Sequence, residues 1–284
     1  MSTENEQWTT LKLLNWTKGY LAEKGVENAR LEAEWLLCAA LGLDRVGLYV
    51  NFEKPLLPQE LAAFRGTVGR RARREPLQYI LGSQEFMGME FRVTPAVLIP
   101  RYDTETLVHE AINRAGDAVR VLDMGTGSGC IAVVLAKLMP DAQVVAVDCS
   151  PEALAVARGN ADANGVKVRF ISGSLFHPLS GERFDLIVSN PPYIATGDLA
   201  GLQPEVREFE PMGALDGGRD GLDFYRLIIP AAPEQLNPGG WLMVEVGAGQ
   251  AEAVQGMFAA AGFLEIFTSL DPGNIRRVVG GRVP

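Results

Sequence analysis

Hydrophobic and polar positions divide the chain into two regimes of periodicity. From about residue 5 to residue 82, apolar side chains recur at steps of three and four, as at Leu11, Leu14 and Leu21 and again at Leu31, Trp35, Leu36 and Ala39. That spacing puts them on one side of a helix, so residues 1–82 are expected to form a small helical bundle. Pro58 suits the first turn of a helix carrying Leu61 and Phe64, where its missing N–H costs nothing. Glu85-Phe-Met-Gly-Met-Glu-Phe-Arg-Val93 sets apolar residues around Gly88 and reads as a hairpin, so residues 83–98 are taken as a linker.

From Val119 the pattern changes to short apolar runs alternating with helical stretches, which implies parallel βαβ units. Strands are expected at Val119 to Asp123, Val144 to Val147, Val168 to Ile171, Leu186 to Val188, Trp241 to Val246 and Phe263 to Phe267. Helices are expected from Cys130 to Leu138 and from Pro151 to Ala163, the second with Ser150 as its N-cap. The polar, glycine-bearing stretch from Ile194 to Leu222 lacks periodicity, and a connection that long inside a domain is usually a lid or a binding loop. Residues 99–284 are thus expected to be an α/β domain, with no internal repeat and no low-complexity tract.

Composition narrows the functional classes. The chain is 284 residues long, 47% hydrophobic and 21% charged, which suits a folded protein and not a disordered one. No stretch approaches 18 uninterrupted apolar residues, so no membrane span is expected, and Met1 to Trp8 has neither the basic flank nor the apolar run of a secretory signal. Three cysteines, Cys38, Cys130 and Cys149, lack metal-like spacing and fit a reducing cytoplasm. The two histidines, His109 and His177, exclude a histidine-rich metal site, and no metal is expected. A net charge of −9 weighs against a protein that grips nucleic-acid backbone. Arg65, Arg70, Arg71, Arg73 and Arg74 are a local exception, read as a solvated helix face in preference to a docking patch.

Two motifs carry candidate chemistry. Gly125-Thr126-Gly127-Ser128-Gly129 follows a strand and opens a helix, where glycines let the chain turn sharply and a ligand approach the backbone. Cys130 stands where a dinucleotide fingerprint would place its third glycine. Asp123, two residues before the loop, is expected to face the ligand, where it would repel a pyrophosphate and attract a sulfonium and an ammonium group. Asp148, at the end of the second strand, can accept hydrogen bonds from both ribose hydroxyls. S-adenosylmethionine is favoured over a nicotinamide cofactor, and over a purely structural glycine turn.

Phe184-Asp-Leu-Ile-Val-Ser-Asn190-Pro191-Pro192-Tyr193 runs apolar and then stops at a rigid tetrapeptide. Each X-Pro bond holds the preceding residue extended, and neither proline has an N–H to compete beside its carbonyl. Asn190 offers an amide oxygen, the Pro191 carbonyl a second acceptor, and Tyr193 a flat face. An amide or exocyclic nitrogen is a poor nucleophile because its lone pair is delocalised. Two acceptors that take its N–H groups would aim the lone pair at a methyl donor and stabilise the growing positive charge. The bland alternative is a strand breaker.

At these residues the chain resembles the protein-(glutamine-N5) methyltransferases that modify peptide-chain release factors. The resemblance covers nearly the full length. It takes in Arg74-Glu-Pro-Leu-Gln-Tyr-Ile-Leu-Gly82, Leu98-Ile-Pro-Arg101 with Thr104-Glu105, the glycine loop, Asn190 to Tyr193, Ala214-Leu-Asp-Gly-Gly-Arg-Asp-Gly-Leu-Asp-Phe-Tyr225 and Gly239-Gly-Trp-Leu-Met-Val-Glu245. Asn-Pro-Pro-Tyr is shared with DNA adenine methyltransferases, so Pro100 to Glu105 and Ala214 to Tyr225 are the discriminating pieces.

The resemblance implies a helical substrate-docking domain joined by a β-hairpin to a seven-stranded, Rossmann-like class I methyltransferase domain. It implies that Gly125 to Gly129, Asp148, Leu175 and Asn190 bind the cofactor, that Ser174 and Leu175 border its adenine, and that Asn190, Pro191, Pro192 and Tyr193 hold the substrate glutamine. Asn190, Pro191 and Tyr193 are the implied catalytic residues. The substrate is implied to be the Gly-Gly-Gln glutamine of class 1 release factors. Tyr102 departs from the family's usual proline, and Ser174 from a frequent aspartate.

The runner-up is a nucleic-acid adenine or cytosine N-methyltransferase, against which net acidity and the absence of a base-reading domain argue. A non-enzymatic ribosome-associated protein is the third reading. A cytoplasmic monomer without direct nucleic-acid or membrane contact is expected.

Overall fold

The helices of the first regime are α1 (Thr10–Glu23), α2 (Ala29–Leu41), α3 (Arg45–Val50), α4 (Pro58–Ala72) and α5 (Leu77–Leu81). The computed structural model describes residues 7–116 and 119–284, so the helical onset expected near residue 5, and most of the Met1 to Trp8 segment, lie outside the described residues. Leu13, Leu14, Leu21, Leu36, Leu37, Phe64 and Val68 form the core of the bundle. Pro58 occupies the first turn of α4, as its spacing predicts, and the Glu60 carboxylate caps that turn by accepting from the Leu57 N–H at 2.7 Å. On α2 the buried stripe is Ala29, Ala33, Leu36 and Leu37, whereas Leu31 and Trp35 are exposed. Two apolar stripes compete on that helix. The one containing small alanines lets neighbouring helices approach closely, and it faces inward.

One compact unit comprises Met1–Gly82 together with Pro204–Phe209, and the other Ser83–Gln203 with Glu210–Pro284. The short excursion of the chain at Pro204–Phe209 corrects the reading of a solvated arginine face for Arg71 and Arg74, while Arg65 and Arg73 are exposed as that reading expects. Arg71 is buried, pairs with Glu32, and lies 2.9 Å from Glu205. Arg74 grips both oxygens of the same Glu205 at 2.7 Å, and Arg70 is held by Glu75 at 2.8 Å. Glu205 arrives from far downstream, so nothing local in the arginine run announces it.

The second unit opens with the hairpin β1 (Ser83–Phe86) and β2 (Met89–Arg92). Met87 and Gly88 at its tip both have positive φ, at 52° and 70°, which is the two-residue turn that matches strand twist. There follow α6 (Glu105–Ala115), β3 (Arg120–Met124), α7 (Cys130–Leu138), β4 (Gln143–Asp148), α8 (Pro151–Ala163), β5 (Arg169–Ser172) and β6 (Phe184–Ser189). The Pro204–Phe209 helix is α9, and α10 (Asp223–Gln235), β7 (Leu236–Glu245), α11 (Ala251–Ala260), β8 (Leu264–Leu270) and β9 (Arg276–Arg282) complete the chain. Ser150 caps α8 as expected, its Oγ accepting from the Ala153 N–H at 3.0 Å.

The seven strands are ordered β5-β4-β3-β6-β7-β9-β8, parallel from β5 to β7, with β9 antiparallel to both neighbours. From β3 the chain winds one way through β4 to β5, then returns to place β6 on the other side of β3. Ligands bind at such a reversal, beyond the carboxyl ends of the strands.

β9 has no counterpart in the periodicity, because Val278 and Val279 are flanked by arginines and glycines. The glycines are required. A Cβ on Gly280 would stand 2.4 Å from Phe267 Cε1, and one on Gly281 2.9 Å from Phe258 Cδ1. Likewise α10 holds Pro230 and Pro233 within a helix, which masks it from a propensity reading. Among the described residues no helix is long and apolar enough to cross a membrane.

Candidate active site

A cavity of about 240 Å³ lies at the carboxyl ends of β3, β4 and β6. Its floor is the glycine loop after β3, where Gly125, Gly127 and Gly129 have φ of 74°, 54° and 81°. A Cβ on Gly125 or Gly127 would meet no protein atom within 4 Å, so those two leave the loop's face open. A Cβ on Gly129 would come within 2.9 Å of the Ala157 Cβ, so the third glycine serves the packing of α7 on α8. Of the expected cofactor set, Gly125, Gly127, Asp148, Leu175 and Asn190 line the cavity. Thr126, Ser128 and Gly129 do not, and both side chains are buried behind the loop.

Asp123 also departs from its expected place. It is fully buried and does not line the cavity. Its Oδ2 accepts from the Thr126 hydroxyl at 2.6 Å and the Ala132 N–H at 3.1 Å, while Oδ1 has no partner. Burial pushes its pKa up to about 7 against the pull of those two donors. The parallel partners of β3 close over it, so the carboxylate braces the loop from beneath.

Asp148 does open on the cavity. Its Oδ2 accepts from the Gly127 N–H at 2.8 Å and its Oδ1 from the Ser150 N–H at 2.9 Å. One residue therefore fixes the loop and presents acceptor lone pairs at the rim. Ser174 and Leu175 line the wall, Leu175 at a φ of 50° that is strained for a residue with a branched side chain.

At the end of β6 the rigid tetrapeptide supplies Asn190, Pro191 and Pro192 to the cavity. The Asn190 Nδ2 donates to the Thr104 hydroxyl at 3.2 Å, which leaves Oδ1 as the end of the amide available to a ligand. Tyr193 is not brought to the cavity wall. Its hydroxyl donates to Glu245 Oε1 at 3.3 Å, and burial, then the Glu245 charge, raises its pKa. Glu245 is itself buried, which pushes it to about 7 against the pull of Thr104, Arg277 and Tyr193.

The segments that periodicity left unassigned frame this site. Gly217 and Gly221 lie against the backbone of Pro192 and Tyr193. A Cβ on Gly217 would stand 2.8 Å from the Pro192 carbonyl oxygen, and one on Gly221 2.3 Å from that of Tyr193. Gln250 Nε2 donates to the Tyr193 carbonyl at 2.8 Å and to that of Gly221 at 3.3 Å. Phe224 and Ile228 of α10 add apolar wall. Glu210 pairs with Arg101 and accepts from the Ile99 N–H at 3.1 Å, next to the cavity residues Pro211 and Gly213. The glycine spacing in Ala214 to Tyr225 was the available signal for the first of these contacts. Glu245 was marked only as the end of a stretch that carries the resemblance, and no local signal exists for Gln250.

The sheet order, the glycine loop after the first parallel strand and the acid ending the second define a class I methyltransferase fold. Solved structures agree on the fold. A methyltransferase from Pyrococcus furiosus matches with a TM-score of 0.55 and 20% identity, covering 75% of this chain and 98% of that one. The hMettl16 catalytic domain in complex with MAT2A 3′UTR hairpin 6 matches at 0.58 and 18%, covering 77% and 84%. Family models for the PrmC N-terminal domain and the methyltransferase small domain match residues 12–82 and 102–202. A release factor glutamine methyltransferase of Geobacter sulfurreducens is 69% identical over 283 residues, covering 100% of each chain. One of Moorella thermoacetica is 47% identical over 246 residues, covering 85% of this chain and 87% of its own. The chain belongs to the release factor glutamine methyltransferase family.

Proposed function

We propose that the protein methylates the side-chain amide nitrogen of the glutamine in the Gly-Gly-Gln motif of class 1 release factors, with S-adenosylmethionine as methyl donor. The observation that carries this reading is the Asn190 side chain, tied through Nδ2 to Thr104 so that its oxygen is presented at the cavity.

The cavity fits the cofactor. Gly125 and Gly127 leave room for it over the loop, Asp148 retains lone pairs for ribose hydroxyls, and Leu175, Phe224 and Ile228 give apolar wall for a flat ring. S-adenosylmethionine supplies an electrophilic methyl group. The protein orients the nucleophile: Asn190 Oδ1 and the Pro191 carbonyl each accept one N–H of the glutamine amide, which turns the nitrogen's lone pair toward the methyl carbon. Both acceptors present negative dipole ends to a nitrogen that becomes positive as the N–C bond forms and the S–C bond breaks to release S-adenosylhomocysteine; the cationic, strongly acidic N-methylated amide then gives one N–H proton to water, so no protein base is needed. Fixing that orientation can contribute roughly up to ten kcal/mol relative to random collision. A lysine ammonium has no lone pair until it loses a proton, and the motif holds no base to take one. A nucleobase meets the same geometry, but the charge of −9 disfavours a polyanionic substrate. The reading places the chain in the cytoplasm as a monomer, with residues 1–82 offering docking surface to the release factor.

The test is incubation of the protein with labelled S-adenosylmethionine and release factor, followed by tandem mass spectrometry. A single methyl on the Gly-Gly-Gln glutamine, abolished by Asn190→Ala, is expected. Label on DNA or RNA with none on that peptide would overturn the proposal.

A further inference from the structure

The tetrapeptide after β6 cannot hold itself in place. Neither proline has an N–H to donate, and the residue before each is confined to extended backbone. Asn190 to Pro192 is therefore a stiff rod whose pose is set at its ends. One end is secured by Ser189, which pairs in the sheet with Met124 and Val244 and donates its hydroxyl to the Met124 carbonyl at 2.8 Å. The Pro191 carbonyl has to stay open to the substrate, so the other anchor must act at Tyr193 or beyond.

The side chain of Gln250, at the start of α11, provides that anchor. Its Nε2 donates to the Tyr193 carbonyl at 2.8 Å and to the Gly221 carbonyl at 3.3 Å, while its Oε1 accepts from the Gly247 N–H at 2.9 Å. The orientation of this amide is unambiguous. Backbone carbonyls only accept and a backbone N–H only donates, so turning the amide over would break all three bonds. The surrounding backbone is shaped to admit it: a Cβ on Gly221 would stand 2.6 Å from Nε2, and one on Gly247 2.9 Å from Oε1. Ile194 is tied to the same glycine-bearing stretch, its N–H donating to the Leu215 carbonyl at 3.0 Å and its carbonyl accepting from the Gly217 N–H at 2.8 Å. Those bonds keep the two segments together without Gln250. What Gln250 adds is the bond nearest the prolines, where a tilt of the rod is passed on to the Pro191 carbonyl.

We propose that Gln250 is a positioning residue for methyl transfer, one that fixes the far end of the tetrapeptide through the Tyr193 carbonyl and so aims the Pro191 carbonyl and Asn190 Oδ1 at the substrate nitrogen. The inference rests on the reading of those two groups as acceptors of glutamine N–H. Gln250 does not line the cavity and acts only through the backbone it holds.

Two substitutions of similar length test this. Gln250→Met removes every polar atom of the amide. Gln250→Glu keeps an acceptor for the Gly247 N–H but turns a second acceptor on the Tyr193 and Gly221 carbonyls. Each variant is assayed for methylation of release factor with kcat and KM determined separately, and for S-adenosylmethionine binding by calorimetry. Gln250→Met is expected to lose about tenfold in kcat, the equivalent of one hydrogen bond, and Gln250→Glu about thirtyfold or more. KM for release factor and affinity for the cofactor are expected to stay within about threefold of wild type, because a loss confined to kcat marks an interaction that counts in the transition state. Wild-type kcat in both variants would overturn the inference. So would a loss shared equally by kcat and cofactor affinity, which marks a merely structural role, or a Gln250→Glu that retains more activity than Gln250→Met. A wild-type enzyme that fails to methylate the glutamine in the same assay would instead remove the reading on which the inference rests.

Discussion

Replacing Asp148 separates the duty it performs, holding the glycine loop, from the one proposed for it, holding the cofactor ribose. Each of its oxygens already accepts a backbone N–H, from Gly127 at 2.8 Å and from Ser150 at 2.9 Å, and each has a lone pair left for a ribose hydroxyl. Asp148→Ala removes one or two charge-assisted hydrogen bonds to the cofactor, worth about 1.5–3 kcal/mol apiece, so affinity is expected to fall by about ten- to a hundredfold or more. Asp148→Asn would ordinarily be the milder change. Here it is not, because the amide has one oxygen and one NH₂, and either orientation sets the NH₂ against a backbone N–H. The donor clash adds a displaced loop to the lost bond, on the order of 1–3 kcal/mol. The prediction is therefore that Asp148→Asn binds S-adenosylmethionine no better than Asp148→Ala. Titration calorimetry of both variants measures this, with thermal unfolding of the unliganded proteins reporting the loop's share. Asp148→Asn binding within about threefold of wild type would refute the reasoning.

Gly221→Ala meets two obstacles, a φ of 75° and a Cβ 2.3 Å from the Tyr193 carbonyl oxygen, so the tetrapeptide must shift. A loss of about 3 kcal/mol, or roughly 6–10 °C in calorimetric melting temperature, is expected, with kcat falling further than cofactor affinity. The Asp123 pKa of about 7, against an ordinary 3.8, makes the native state hold a proton that the unfolded chain releases between about pH 4 and 7. Stability from this group is complete below that window and declines as pH rises through it, by on the order of 3–4 kcal/mol. Urea unfolding across the window should show a flatter slope for Asp123→Asn, the residue of the slope belonging to Glu245, which is raised in the same sense. An unchanged slope would show that Asp123 stays ionised throughout.

What the sequence disclosed was local. The glycine loop, the Ser150 cap, the Gly88 turn and Asn190-Pro-Pro-Tyr193 each state their geometry within a few residues, because φ restrictions and capping act at that range. β3, β4, β6 and the second half of β7 were legible because strands buried on both faces are continuous apolar runs. β9 was not, since an antiparallel strand squeezed between β7 and β8 needs glycine at positions where a pattern asks for valine. At the site, Asp123 was misplaced because sequence position beside a loop does not tell which side of it a carboxylate faces. Tyr193 points to Glu245 for a similar reason: its direction is decided by a partner 52 residues away. The arginines at and just beyond the end of α4 carry the same lesson, since Glu205 lies 131 residues after Arg74.

The visit of Pro204–Phe209 to the helical unit has a consequence for how this chain can be cut, grafted or recombined. The polypeptide passes between the two units three times, after Gly82, after Gln203 and after Phe209, so the hairpin is not the single seam along which they separate. A chain shortened to begin near Glu85 would keep Glu205 while losing Arg71 and Arg74, stranding a carboxylate that its partners had drawn out of water. The stranded segment runs directly into Glu210 and then into Pro211 of the cavity wall. Low activity in such a fragment would therefore report a damaged wall as readily as a missing docking surface. A working exchange of helical units between relatives would have to carry the hexapeptide along with residues 1–82.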